Sequence, residues 1–127
     1  MGNREWVLQF WNDIQTQSWC NLAPYFREDA VIRWHNTNEQ FTVDEFIRVN
    51  AEYPGDWQIE AERVECLDDL CISVVRVYNG GVSFHATSFF RYHNEKIISL
   101  DEYWGNDEKA PVWRRDLRIG SPITAIN

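Results

Sequence analysis

The chain is short of positive charge. Of its 127 residues only 12 are Lys or Arg, against 20 Asp or Glu, for a formal net charge of −8. Phosphate contacts need clustered basic side chains, so nucleic acid is not an expected partner. The same sign argues against an anionic membrane surface. Solubility is the plain explanation of the acidity. Long apolar runs are missing as well: none approaches the roughly 20 residues that cross a bilayer. Met1-Gly2-Asn3-Arg4-Glu5 lacks the apolar stretch of a signal peptide. Cysteine is scarce and odd in number (Cys20, Cys66 and Cys71) in a chain long enough to build a core without staples. Cys66 and Cys71 can face each other across a hairpin, but buried thiols are the default for such residues. A cytoplasmic chain is the expectation.

Histidine is equally sparse. His35, His85 and His93 show no His-Glu-x-x-His spacing, and no two Cys lie two residues apart. No metal-ligand set is expected. A Gly-rich phosphate loop and a Gly-x-Ser-x-Gly elbow are both absent, so neither nucleotide cofactors nor serine-hydrolase chemistry is expected. No cofactor is implied.

Aromatic rings are what the chain has in excess, at 15% with seven Trp. They concentrate in Phe84-His85-Ala86-Thr87-Ser88-Phe89-Phe90-Arg91-Tyr92 and Lys96-Ile97-Ile98-Ser99-Leu100-Asp101-Glu102-Tyr103-Trp104. Such residues fit a pleated surface, and His93-Asn94-Glu95 joins the two runs as an antiparallel hairpin. His85, Ser88, Asp101 and Glu102 are polar cargo in these strands, and one strand face normally meets the core. An inward carboxylate needs a reason.

Upstream, Trp6, Val7, Phe10, Trp11 and Ile14 recur at helical spacing, with Glu5, Gln9, Asn12, Asp13 and Thr16 on the polar side. A second, shorter helix is expected over about Asn21 to Arg27, with Pro24 in its first turn. Ala30 to His35 follows as a strand. Thr42-Val43-Asp44-Glu45 is a capping box opening a third helix, whose apolar face carries Phe46, Val49, Asn50 and Tyr53. Pro54-Gly55 stops it. From Trp57 onward all is strand: Trp57 to Leu67, an Asp68-Asp69 turn, Leu70 to Tyr78, and an Asn79-Gly80 hairpin turn of type I′. Helices first and long strands after predict an α+β fold in one domain, with a core over about residues 5–108 and an arm over 109–127.

Tyr25-Phe26-Arg27-Glu28-Asp29-Ala30-Val31 and the run Lys96 to Trp104 resemble the nuclear transport factor 2-like superfamily, in particular its SnoaL-like branch. The resemblance implies a cone: a curved, mostly antiparallel sheet with three N-terminal helices on its concave face, around an apolar pocket. The superfamily includes ketosteroid isomerase, scytalone dehydratase, limonene epoxide hydrolase, polyketide cyclases and plain binding modules, so fold alone does not choose a function. At the positions of the ketosteroid isomerase catalytic groups this chain carries Trp34, Phe10 and Ser88, and that mechanism is rejected. His35 and His85 make no convincing match to the dehydratase, nor do Arg33, Arg76 and Asp101 to the epoxide hydrolase relay. Glu102 is nearest to the pocket carboxylate of a SnoaL-type cyclase.

The same resemblance turns Glu102 and Trp104 inward on the last strand, Phe84 and Ser88 on the one before, and Asn50 and Tyr53 from the third helix. Trp34, Asn36 and Trp57 complete the expected ligand-binding set. A small apolar molecule, aromatic or polycyclic, is the implied partner, with cofactor-free acid/base chemistry of the isomerase, cyclase or dehydratase type; the alternative is a non-catalytic ligand-binding or protein-interaction module of the same fold. Glu102 is the candidate acid/base, its pKa raised by desolvation; the alternative is a structural Glu paired with Arg76 or Arg114. His85 is a second candidate only if a β-bulge turns it inward. Otherwise it joins Thr87, Phe89 and Arg91 on an outer face suited to a homodimer. Asn50 is either a ligand donor or a satisfied core amide, and Trp113 on the arm either plugs the pocket or simply packs.

Overall fold

In the computed structural model, residues 3–124 are described. They form helix α1 (Asn3–Gln15), strands β1 (Phe26–Trp34) and β2 (Glu39–Phe41), helix α2 (Val43–Ala51), strands β3 (Gln58–Cys66), β4 (Leu70–Asn79), β5 (Val82–His93) and β6 (Lys96–Asn106), and helix α3 (Val112–Asp116). The sheet is six-stranded in the order β2-β1-β6-β5-β4-β3. All neighbours are antiparallel except β1 and β6, which run parallel. The architecture is α+β, an open mixed sheet with α1 and α2 packed against it and α3 exposed on the C-terminal arm.

Strand alternation decides which side chains enter the core. Cys71, Ser73, Val75 and Val77 on β4 and Ala86, Ser88 and Phe90 on β5 are buried, with every second residue more exposed. On β6 a bulge at Ile98 lets Ile97 and Leu100 both point inward, after which Glu102 resumes the buried phase. Phe10 from α1 is the hub of the packed end. Its ring meets Phe90 at 5.2 Å, Tyr25 at 5.5 Å, Phe26 at 6.1 Å and Phe46 at 6.4 Å.

Several expectations need correction. The second helix is replaced by two 3₁₀ turns, Trp19–Asn21 and Ala23–Tyr25. Pro24 supplies no N–H to extend a helix, and the chain is already extended at Phe26, so β1 starts four residues earlier than expected. The loop after Trp34 forms a 3₁₀ turn ending at left-handed Asn38, and the chain then returns as β2, a strand the sequence had not suggested. The β4–β5 turn centres on Gly80-Gly81, with Asn79 paired to Val82 and only Gly80 at positive φ, so it is not of type I′. Finally, Cys66 and Cys71 stand directly opposite in the β3–β4 hairpin and are joined as a disulfide. Their opposed register brings the thiols together, which removes the cysteine argument for a reducing compartment.

Among the described residues no helix is long and apolar enough to cross a membrane. Asp13, on the expected polar side of α1, is buried instead. It accepts from Tyr25 Oη at 2.8 Å and Gln9 Nε2 at 3.1 Å, tying α1 to the 3₁₀ turns. The capping box is formed: Glu45 N donates to Thr42 Oγ1 at 3.2 Å, and Thr42 N donates to Glu45 Oε1 at 2.9 Å. Thr42→Ala is therefore expected to lower stability by about 1 kcal/mol in urea unfolding, with Thr42→Ser close to wild type. Equal losses in both variants would remove the cap as the cause.

Candidate functional site

Register builds the site. Ser73 pairs with Ser88, Ser88 with Glu102, and Glu102 with Trp34, so one row crosses β4, β5, β6 and β1. Ser73, Ser88 and Glu102 are all buried. An indole N–H closes each end of the row. Trp11 Nε1 donates to Ser73 Oγ at 3.0 Å, and Trp34 Nε1 donates to Glu102 Oε1 at 3.0 Å. Ser88 Oγ donates to Glu102 Oε2. On one side of this row lies the packed core of Phe10 and Phe90. On the other lies a cavity of about 210 Å³.

Its walls come from every layer of the fold. The sheet contributes Trp34, Ile59, Val77, Phe84, Ala86, Glu102 and Trp104; α1 and the segment after it give Trp11, Ile14, Gln15, Gln17 and Trp19. The end of α2 and the turn after it give Val49, Asn50, Tyr53, Gly55 and Trp57. Several rings form a continuous arc. Trp34 meets Trp104 at 5.5 Å, Trp104 meets Phe84 at 5.2 Å, Phe84 meets Trp57 at 5.8 Å, and Trp57 stacks on Tyr53 at 5.2 Å. Gly55, at φ 104°, permits the turn beneath Trp57; a Cβ there would lie 3.1 Å from the indole nitrogen and 3.0 Å from Asn79 Nδ2.

Glu102 is 5% exposed. Burial pushes its carboxyl above the usual 4.5, and the hydrogen bonds from Ser88 and then Trp34 oppose that rise only in part. No ion pair among the described residues includes it. The alternative of a structural pair with Arg76 or Arg114 is overturned: Arg76 lies over the Tyr78 ring and Arg114 over the Trp113 ring.

Of the expected ligand-binding residues, Trp34, Asn50, Tyr53, Trp57, Phe84 and Trp104 line the cavity together. Asn50 Nδ2 donates to the Phe46 carbonyl at 2.8 Å, which leaves its oxygen free of that bond. Ser88 is inward, but it sits behind Glu102 rather than in the wall. Asn36 is not in the wall either. Its Oδ1 accepts from Trp104 N at 2.8 Å and so holds the end of β6.

His85 is not brought to the cavity. The β4–β5 ladder runs without a bulge, so alternation leaves His85 opposite Arg76 on the outer face. Its Nδ1 is 2.5 Å from Asp107 Oδ1 and its Nε2 is 2.9 Å from Glu62 Oε1. The Asp107 hydrogen bond, with the charges of Asp107 and Glu62, holds its pKa above the usual 6.5. Trp113 is 65% exposed and does not plug the cavity. Trp11, Gln15, Gln17 and Trp19 were not anticipated as wall. Trp11 belongs to the apolar stripe of α1, and only the observation that α1 ends over the cavity separates it from core.

A second hollow, of about 340 Å³, lies between Trp6, Tyr25, Tyr92 and Ile97. Its Tyr25 hydroxyl is committed to Asp13 and Tyr92 donates to the Leu67 carbonyl, while Asn21 and Glu95 are the other polar side chains in its wall. Among the described residues, no three His, Cys, Asp or Glu side chains are placed to hold a metal ion.

No protein-family model and no curated protein matches the chain. Solved structures do. A protein of Kribbella flavida DSM 17836 provisionally named a ketosteroid isomerase superposes with a TM-score of 0.79 at 21% identity, over 91% of this chain and 87% of that one. An NTF-2 like protein of unknown function from Burkholderia xenovorans LB400 gives 0.78 at 17% identity, over 98% and 94%. An LEH-like epoxide hydrolase of M. tuberculosis gives 0.64 at 13% identity, over 78% and 79%. The fold is the nuclear transport factor 2-like cone.

The raised pKa of Glu102 has a consequence for stability. The unfolded chain ionises this carboxyl near 4.5, the folded chain only at higher pH. The stability it contributes is complete below 4.5 and is lost as pH rises through the folded value. Against Glu102→Gln, the melting temperature of the wild type should therefore fall progressively above that pH and then level off. A difference between the two that does not change with pH would show that Glu102 ionises normally in the fold.

Proposed function

We propose that this chain binds a compact, largely apolar molecule in the cavity, and that Glu102 exchanges a proton with it without a cofactor. The observation that carries this reading is a buried carboxyl on an aromatic wall with neutral donors and no basic partner among the described residues. A carboxyl kept from ionising early is suited to give and take a proton near neutrality. Among the described residues, Glu102 and Tyr53 are the only ionisable side chains in the wall, and Tyr53 is at its more exposed side. One group must then both take and return the proton, which favours an isomerisation or cyclisation over a reaction needing separate acid and base.

Cavity size narrows the ligand. An apolar cavity of about 150 Å³ holds a benzene, and drug-sized sites start at about 300 Å³. The cavity here, about 210 Å³, suits one substituted ring or two fused rings better than a polycycle. The similarity to a named ketosteroid isomerase and an epoxide hydrolase supports a small-molecule pocket of this architecture. The second reading, a carrier that binds without turnover, is favoured by the fact that both oxygens of Glu102 already accept hydrogen bonds.

A thermal-shift screen of one- and two-ring molecules, with product analysis of every hit, decides between them. A ligand specific to the native state raises the melting point. Glu102→Gln should then lower turnover at least about 100-fold while leaving affinity within a few-fold. Binding with no product from wild type would leave the carrier; no binding by any compound would sink both.

We also propose a homodimer through the outer face of the sheet, where Ile72, Val74, Phe89 and Tyr103 remain partly exposed. Sedimentation should give about twice the 15.1 kDa monomer mass, and Tyr103→Glu should halve it. A wild type that sediments as a monomer at every concentration contradicts this.

A further inference from the structure

We infer that the ligand of this cavity is an organic cation, a small ammonium compound whose charge lies between the aromatic arc and Glu102. The inference rests on the reading of the cavity as a ligand site.

Three features of the wall point the same way. First, seven of its seventeen residues are aromatic: Trp11, Trp19, Trp34, Tyr53, Trp57, Phe84 and Trp104. Ring faces carry negative quadrupole potential, and a desolvated cation is drawn to them, most of all to Trp. A neutral hydrocarbon would gain burial here but nothing from that potential.

Second, the described wall has no Lys, Arg or His. An anionic ligand would be taken from water into an apolar chamber with no positive partner, at high cost. The polar groups that remain are largely engaged by the protein itself. Gln15 Oε1 accepts from Ile59 N at 2.7 Å, Gln17 Nε2 donates to Asp56 Oδ1 at 3.4 Å, and Asn50 Nδ2 donates to Phe46 O at 2.8 Å. Among the described residues, Glu102 is the one carboxyl in the wall.

Third, Glu102 is held ready for both of its states. An indole N–H can only donate, so Oε1 is an acceptor in either state. The Ser88 hydroxyl can donate to an ionised Oε2 or, by rotation, accept from a protonated one. A cation in the chamber supplies the missing counter-charge and drives Glu102 to the carboxylate, releasing its proton. The chain's net charge of −8 favours arrival of such a ligand over that of an anion.

The test compares charge at constant shape. Choline and its carbon isostere 3,3-dimethylbutan-1-ol differ only by nitrogen for carbon, and choline has no ammonium proton to exchange, so recognition is read apart from chemistry. Both are titrated calorimetrically into the wild type in two buffers of different ionisation enthalpy, together with benzyltrimethylammonium and phenylacetate. The expected result is at least about tenfold tighter binding of the cations than of the isostere, no binding of phenylacetate, and proton release at pH values where free Glu102 is protonated.

In Glu102→Gln the preference for the cation should shrink several-fold and the proton release should vanish. Trp57→Leu, at the half-buried side of the arc, should weaken the cations more than the isostere and guards against a folding defect in the first variant. If the isostere binds as well as or better than the cations, the inference is overturned while the ligand site survives. If nothing binds, the ligand-site reading falls and the inference with it. A cation preference that is unchanged in both variants places recognition elsewhere and overturns the inference.

Discussion

A buried carboxyl with no counter-charge among the described residues is the constraint on which the architecture of this protein turns. Removing a carboxylate from water is costly unless hydrogen bonds or an opposite charge replace the lost solvation. Here the replacement is two neutral donors, Ser88 Oγ and Trp34 Nε1, and burial still raises the pKa of Glu102. A purely structural role would be served more stably by an apolar residue at that place. The row that carries Glu102 also separates a packed half of the cone from an open half, so the same four strand positions set both the limit of the core and the floor of the cavity.

Each layer contributes to holding that row. The parallel β1–β6 contact sets Trp34 opposite Glu102, and the bulge at Ile98 brings β6 back into phase so that Glu102 points inward. Trp11 fixes the far end of the row from α1. Asn36, in a turn that looks like a plain connection, holds the backbone of Trp104 and with it one ring of the arc. The cavity is thus an outcome of register more than of any single loop, unlike sites that depend on mobile connections.

Much of this was legible in the sequence. Strand alternation has a period of two, so once the last hairpin is recognised, Phe84, Ser88, Glu102 and Trp104 fall on one face. The capping box at Thr42 likewise fixes where α2 begins, and the apolar stripe that follows carries Asn50 beside Phe46. What was not legible depends on contacts between segments distant in sequence. Asp13 reads as a solvent-facing helix residue until Tyr25 is seen to reach it. Trp11 reads as core because a helix stripe does not say where the core ends. The second helix failed because Pro24 has no N–H to extend it and the chain is already extended at Phe26, although Leu22 and Phe26 are buried as a helix face would have placed them. His85 was legible as well: uninterrupted alternation sends it outward, and no glycine or other local signal marks the bulge that would have turned it to the cavity.

The decisive quantity is the ionisation of Glu102 itself. Carbon-13 NMR of protein labelled at the glutamate carboxyl, assigned by loss of one resonance in Glu102→Gln, follows that carboxyl directly as pH is raised. A resonance that stays protonated above 4.5, and shifts to the carboxylate position when benzyltrimethylammonium is added, is the expected result. A resonance that titrates at or below 4.5 in the free protein would contradict an unpaired, proton-holding carboxyl in the cavity.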